Sequence, residues 1–298
     1  MRVFMAAMVF VGAVCTGAFH AGAAQAAPLP PVVEAMIREA AKDDSLAAVV
    51  NAAKAVNPAS LAEIDTLVAR LKADAVSARE ERLSAAGLLD NWSGTGVAGF
   101  SRTSGNTNDL TMSGAADLTK EGLHFRHKFQ GAVDYQTTRG VLTRDRYRAG
   151  YQLDYKFNEH IYAYGSLGWE KDTFAGIRRR LSESGGAGYT VLDTGTMRLD
   201  ITAGPALQQT RYVTGLPENS TTLRSGGDFS WKVFDALTFS EKAEIFINSE
   251  IKSTTALTIP VRDTLSAQLA FDYFHQDNVP AGRTATDTAS RVSLVYSF

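Results

Sequence analysis

Cysteine is all but missing from this chain of 298 residues: the single one, Cys15, lies in the apolar opening segment. Disulfides, thiolate catalysis and cysteine-ligated metals are thereby excluded from everything downstream. There is no excess of one charge either. Thirty basic and 32 acidic side chains leave a formal charge of −2, without the basic footprint of a nucleic-acid binder. Past residue 30 no apolar run reaches the ~18 residues of a membrane helix, so any crossing of a bilayer falls to strands. Histidine is scarce, five in all. With the carboxylates scattered, no metal spacing is recognisable, and neither a Walker A loop nor a G-x-G-x-x-G follows a strand. No metal, cofactor or nucleic-acid partner is expected.

What is present divides into three. Residues 1–26 hold one charge, Arg2, then an apolar stretch from Val3 to Phe19 and the small-residue site Ala24-Gln25-Ala26. That order is a secretory signal peptide cleaved after Ala26. Residues 27–90 carry seven basic and ten acidic side chains, and residues 91–298 carry twenty-two of each. The two stretches are different kinds of text.

The first reads as helix. Val32, Val33, Met36, Ile37 and Ala40 recur at helical spacing. Asp44 or Ser45 is placed to cap a second segment, which Asn57-Pro58 breaks. Ser60-Leu61-Ala62-Glu63 is a capping box opening a longer helix with Ile64, Leu67, Val68 and Leu71 on one side. Aromatics are absent and the apolar faces are thin, so residues 27–90 are expected to form a small helical extension in the periplasm. It either touches a partner or peptidoglycan, or serves as a solvated spacer.

From Trp92 onward the period changes to two. Twelve alternating segments are predicted, at 92–103, 108–119, 123–137, 144–157, 160–171, 177–191, 196–211, 220–233, 236–247, 252–261, 264–275 and 286–298. Turns after even-numbered segments are short, as in Asn158-Glu159 and Arg262-Asp263, while the other side includes the longer stretches Tyr212 to Asn219 and Gln276 to Ala285. Even strand number, length of ~10 residues or more and unequal turns predict an all-β, antiparallel up-and-down transmembrane barrel in the outer membrane. Trp92, Tyr155, Phe157, Trp169, Tyr189, Trp231 and Tyr296 lie near strand ends, where interfacial girdles form. Alternation alone fits a soluble sandwich as well, with the sense reversed.

Three groups of candidate residues follow. If the apolar faces meet lipid, the lumen is lined by Asp117, Arg126, Lys128, Asp134, Arg148, Asp154, Lys156, Arg198, Asp200, Arg224, Asp228, Lys232, Lys242, Glu244, Asp272 and Arg291. Mixed signs on neighbouring strands predict pairing and no strong ion preference. Arg178, Arg179 and Arg180 follow a loop on the outer side and are placed to contact lipopolysaccharide phosphates. Val292, Leu294, Tyr296 and the terminal Phe298 alternate on the last segment. An aromatic end of that kind is similar to the signal read by the barrel-assembly machinery, with periplasmic chaperones as the expected escorts before it.

In order along the chain, Trp92-Ser93-Gly94, Ser104-Gly105-Asn106-Thr107, Trp169-Glu170-Lys171-Asp172, Gly185-Gly186-Ala187-Gly188-Tyr189, Val279-Pro280-Ala281-Gly282, Thr286-Asp287-Thr288 and Leu294-Val295-Tyr296-Ser297-Phe298 resemble the YdiY-like salt-induced outer-membrane proteins, DUF481. The resemblance spans residues 91–298. It implies an outer-membrane barrel and salt induction, and it transfers no catalytic residue. Three functions stay open: a narrow pore for ions or small solutes, a structural barrel without transport, and a lipid hydrolase. The last would use His275 with Ser253 or Ser290 on the lipid-facing side.

Overall fold

A computed structural model describes residues 28–42, 45–85, 87, 90–103, 109–234, 236–277, 279 and 284–298. The signal peptide and the Ser104 to Thr107 turn lie outside the described residues. The chain divides into two units, residues 1–74 and 75–298.

In the first unit α1 (Pro31–Ala40) begins on prolines, which fit a first helical turn because their missing N–H is not needed there. α2 (Leu46–Val56) stops at Asn57, whose Nδ2 donates to the Ala53 carbonyl at 2.9 Å. A single 3-10 turn over Pro58–Ser60 leads into α3 (Leu61–Ala85). The thin apolar faces do find each other: Ile37, Ala53 and Ile64 are buried, with Leu46, Val50 and Leu67 packed round them. Glu63 also accepts from the Leu29 N–H at 2.5 Å.

The second unit is a closed barrel of β1 (Trp92–Thr103), β2 (Asp109–Glu121), β3 (Phe125–Thr138), β4 (Val141–Lys156), β5 (Ile161–Asp172), β6 (Ile177–Asp193), β7 (Met197–Tyr212), β8 (Pro217–Phe234), β9 (Leu237–Phe246), β10 (Glu250–Arg262), β11 (Leu265–Gln276) and β12 (Thr286–Ser297). Every strand pairs antiparallel with its sequence neighbours, and β1 closes on β12 from Thr95↔Ser297 to Ala98↔Leu294. All twelve predicted segments are strands, each within three residues of the predicted bounds.

One expectation changes. The Tyr212 to Asn219 stretch is a loop of only 213–216, because β7 and β8 keep pairing through Thr210↔Glu218 and Arg211↔Pro217. Tyr212 also donates its hydroxyl to Glu218 at 2.6 Å, zipping the hairpin further. The two ends of the barrel are therefore told apart chiefly by the termini: Trp92 and Ser297 lie at the end bearing the turns after even-numbered strands. We call this the turn end and the other the loop end. At the loop end β3 and β4 join through Arg139-Gly140 alone, both at positive φ (52° and 78°), as the tightest hairpin turns require.

The pleat sends successive side chains to opposite faces, and here the sense is inverted relative to a soluble protein. Outside, Leu167, Leu223, Leu269, Phe271 and Leu294 are exposed, with Val292 at 80 %, whereas inside Asp154 is 0 % and Glu250 1 % exposed. Near the turn end an aromatic belt runs through Phe125, Tyr155 and Phe157, with successive ring centroids 5.2 Å apart, and continues to Tyr189, Tyr296 and Phe298. An apolar outside and ionic inside is the arrangement a bilayer selects, since water would drive both the other way.

Residues Val292, Leu294, Tyr296 and Phe298 all stand on that outer face, and Phe298 exchanges two backbone hydrogen bonds of 3.1 Å with Gly94 on β1. The terminal residue thus seals the seam. Deleting Phe298 is expected to lower the amount of assembled, heat-modifiable barrel in the membrane fraction markedly; unchanged gel mobility and yield would remove the assembly role.

Candidate functional site: the barrel lumen

Strand alternation carries the charged side chains inward, and the closure of the sheet brings together residues far apart in sequence. Two ionic layers result, with a band between them.

Near the loop end, Glu170 on β5 is the hub. It accepts from Arg146 on β4 (3.1 Å) and from Lys252 on β10 (3.0 Å), and Arg180 on β6 lies 4.0 Å away. Glu250 pairs with Arg180 and with Lys252 (2.8 Å), and Gln208 donates to it at 3.2 Å. Strands β5 and β6 do not neighbour β10, so these contacts span the interior. Phe274 fills the remaining space under Arg146 and Lys252, 4.9 and 5.9 Å from the ring centroid. Just below, Arg291 on β12 reaches Asp272 (2.8 Å) and Asp134 on β3 (3.5 Å).

Near the turn end, Arg126 places Nε and Nη2 2.8 and 2.7 Å from one oxygen of Asp154, while Gln152 donates to the other at 2.7 Å. Lys128 stands 3.6 Å from the same carboxylate. Arg126 also lies over the Tyr162 ring at 5.0 Å. Asp200 accepts from Thr190 (2.5 Å) and Arg198 (2.7 Å), and Arg198 reaches Asp193 as well. Lys156 pairs with Glu121 at 2.6 Å at the rim.

Between the layers, Lys242 on β9 reaches across to Asp117 on β2 at 3.2 Å, and Arg224 pairs with Glu244 at 2.6 Å beside Tyr164. A cavity of about 580 Å³ remains, lined also by Arg148, Asp228, Ser166, Ser184 and Thr258. Acidic and basic side chains are mixed round it, so no ring of one sign forms. Such a lining offers hydrogen bonds and charges of both signs to polar groups.

A family model described as a protein of unknown function, DUF481, matches residues 97–298. The chain belongs to the DUF481 family. No curated protein matches its sequence. In structure it is similar to the NanC porin, at 10% identity with a TM-score of 0.43, over 68% of this chain and 100% of that one. It is similar also to the COG4313 outer membrane channel from Pseudomonas putida F1, at 9% identity and a TM-score of 0.41, over 72% and 100%. The KdgM porin aligns at 12% identity with a TM-score of 0.35, over 70% and 99%.

Within this DUF481 barrel the sequence-derived lumen residues fall on the inward parity of their strands, and most meet a partner of opposite charge. Lys232 is the outlier, exposed near the turn end of β8 and away from the cavity. The arginine run needs a correction. Arg178 and Arg179 are exposed, but Arg180 is 3 % exposed and bound to Glu250 inside the lumen, so it is not available to lipid. The cause is the pleat, since Arg179 and Arg180 are successive strand residues and must face opposite ways.

Arg146, Glu170, Glu250 and Lys252 of the hub are not among the lumen residues expected from the sequence. Alternation could have found Glu170, which shares parity with Tyr162 and Tyr164 opposite Trp169. Glu250 was hidden because β10 begins two residues earlier than its β-branched run implies.

The lipid-hydrolase constellation does not assemble. His275 Nδ1 lies 2.8 Å from the Thr286 hydroxyl and Nε2 3.4 Å from Asp277, while Ser253 donates to Glu241 at 2.8 Å. Among the described residues no serine hydrogen-bonds His275, and no cluster of metal-ligating side chains occurs.

Proposed function

We propose that this protein is an outer-membrane barrel whose lumen is a narrow, mixed-charge conduit for ions and small polar solutes, held constricted by ion pairs that cross it. One observation carries the reading: Arg180, Glu250, Lys252 and Glu170 link non-neighbouring strands at one end of a cavity of about 580 Å³ whose lining includes charged and hydroxyl side chains. A purely structural barrel has no need of a chamber bearing charged side chains behind such a barrier. Twelve strands also lie between barrels of about eight strands, which side chains fill, and porins of about sixteen, which stay open. In this reading the turn end and the helical segment face the periplasm and the loop end faces outward.

Single-channel recording of the full mature chain in planar bilayers tests it. Small, infrequent steps with little cation or anion preference are the expected result, because acids and bases share the lining. Silence from a barrel shown by heat-modifiable mobility to be folded would sink the conduit and favour a structural barrel.

A further inference from the structure

The outer face of β6 and β7 near the loop end carries charges that the lumen does not use. Arg179 stands directly opposite Arg211 in the β6–β7 register, both outward and exposed. Like charges in directly opposed positions repel. The pairing register shifts between Ile177 and Arg179, and this bulge leaves Arg178 exposed as well. Among the described residues none of the three arginines has a carboxylate partner. Asp145, also on the outward face, is already taken by Lys171 at 2.7 Å and Thr173 at 3.2 Å. Three exposed arginines thus share this stretch of the two strands with no carboxylate paired to them.

Further from the loop end, across the outer face of β4 to β7, lies a groove of about 650 Å³ with a mainly apolar lining. Its floor is Gly165 and Gly185, and its walls are Tyr151, Leu167, Pro205 and Leu207. Glu183 stands at its upper edge, opposite Leu167 and Leu207, exposed and without any hydrogen bond or ion pair among the described residues. An isolated carboxylate on a lipid-facing surface is costly and calls for a donor from outside. Arg179 and Glu183 are four residue steps apart along β6, about 13 Å at ~3.3 Å per residue.

We infer that this face binds one phosphorylated glycolipid of the outer leaflet, of lipid A chemistry. Its phosphate sits on Arg178, Arg179 and Arg211, its amide or hydroxyl donors reach Glu183, and an acyl chain occupies the groove. A plain phosphodiester lipid offers the anion but has no donor at the depth of Glu183. A free phosphate would leave the groove empty.

The inference rests on the loop end facing the outer leaflet, as proposed above, but uses none of the lumen. Native mass spectrometry of the full chain from detergent, titrated with bis-phosphorylated lipid A, dephosphorylated lipid A and phosphatidylglycerol, tests it. Bis-phosphorylated lipid A is expected to be retained best. The double variant Arg179→Gln, Arg211→Gln is expected to lose roughly a hundredfold in affinity, about tenfold per charge-assisted arginine contact.

Gly185→Leu, which fills the groove and leaves the arginines in place, should weaken lipid A but not a de-acylated phosphorylated disaccharide. Heat-modifiable mobility confirms folding of each variant. Equal retention of phosphatidylglycerol and lipid A, or an unchanged affinity in the double variant, would overturn the inference. Either result leaves the conductance reading standing, whereas recovery of the protein in the inner-membrane fraction would remove the location on which both depend.

Discussion

Arg180→Ala is expected to raise single-channel conductance and to destabilise the barrel together. The guanidinium is 3 % exposed, bound to Glu250, close to Glu170 and donating to Thr210 at 3.0 Å. Removing one partner of a buried pair leaves an uncompensated charge, at a cost of about 3–5 kcal/mol. Here Lys252 still reaches both carboxylates, so the loss should fall near the lower end of that range.

The double variant Arg180→Ala, Glu250→Ala separates plug from prop. With both charges gone no ion is stranded, so much of the lost stability should return, while the lumen stays wider than in the native chain. A double-mutant cycle on urea unfolding, read beside conductance, measures both quantities. If conductance is unaltered in the single and the double variant alike, this layer is not the constriction.

Gly204→Val is the second large effect, and it acts on the wall rather than the lumen. A Cβ at Gly204 would collide with the Gly185 carbonyl, and one at Gly186 with the Ala203 carbonyl and the Gly204 Cα. The obstacles are backbone, which cannot rotate aside. β6 and β7 would have to part and give up ladder hydrogen bonds, so the cost lies at or above the upper end of the roughly 1–3 kcal/mol typical of overpacking. Loss of the heat-modifiable band on refolding is the expected readout. Gly227→Val, where nothing lies within 4 Å of a built Cβ, is the matched control and should fold normally. Equal folding of both variants would show that the close approach is not needed for closure.

The glycines of β6 illustrate how far the sequence can be read. Gly185-Gly186-Ala187-Gly188 in mid-strand reads as a place of close backbone approach, and Gly186 is one; which strand approaches could not be read. The same division runs through the lumen. Period-two alternation settles which residue of a strand points inward, because the pleat is a local property. Whether Lys242 meets Asp117, or Lys252 meets Glu170, depends on how the strands tilt and stagger when the sheet closes. That is a property of the whole circumference, and no window of sequence contains it.

Local chemistry therefore determined much by itself: twelve strands, an ionic inner face, an apolar outer one, and an alternating aromatic terminus. Each follows from residue type and spacing along one segment. Only the tertiary structure decided the rest. It added the bulge beside Arg178, set Arg179 against Arg211, gave Arg180 a partner across the lumen, shortened the loop between β7 and β8, and gathered Arg146, Glu170, Glu250 and Lys252 from three strands into one barrier. These outcomes depend on register and closure, which are fixed by the summed fit of all twelve strands and cannot be assigned to any one of them.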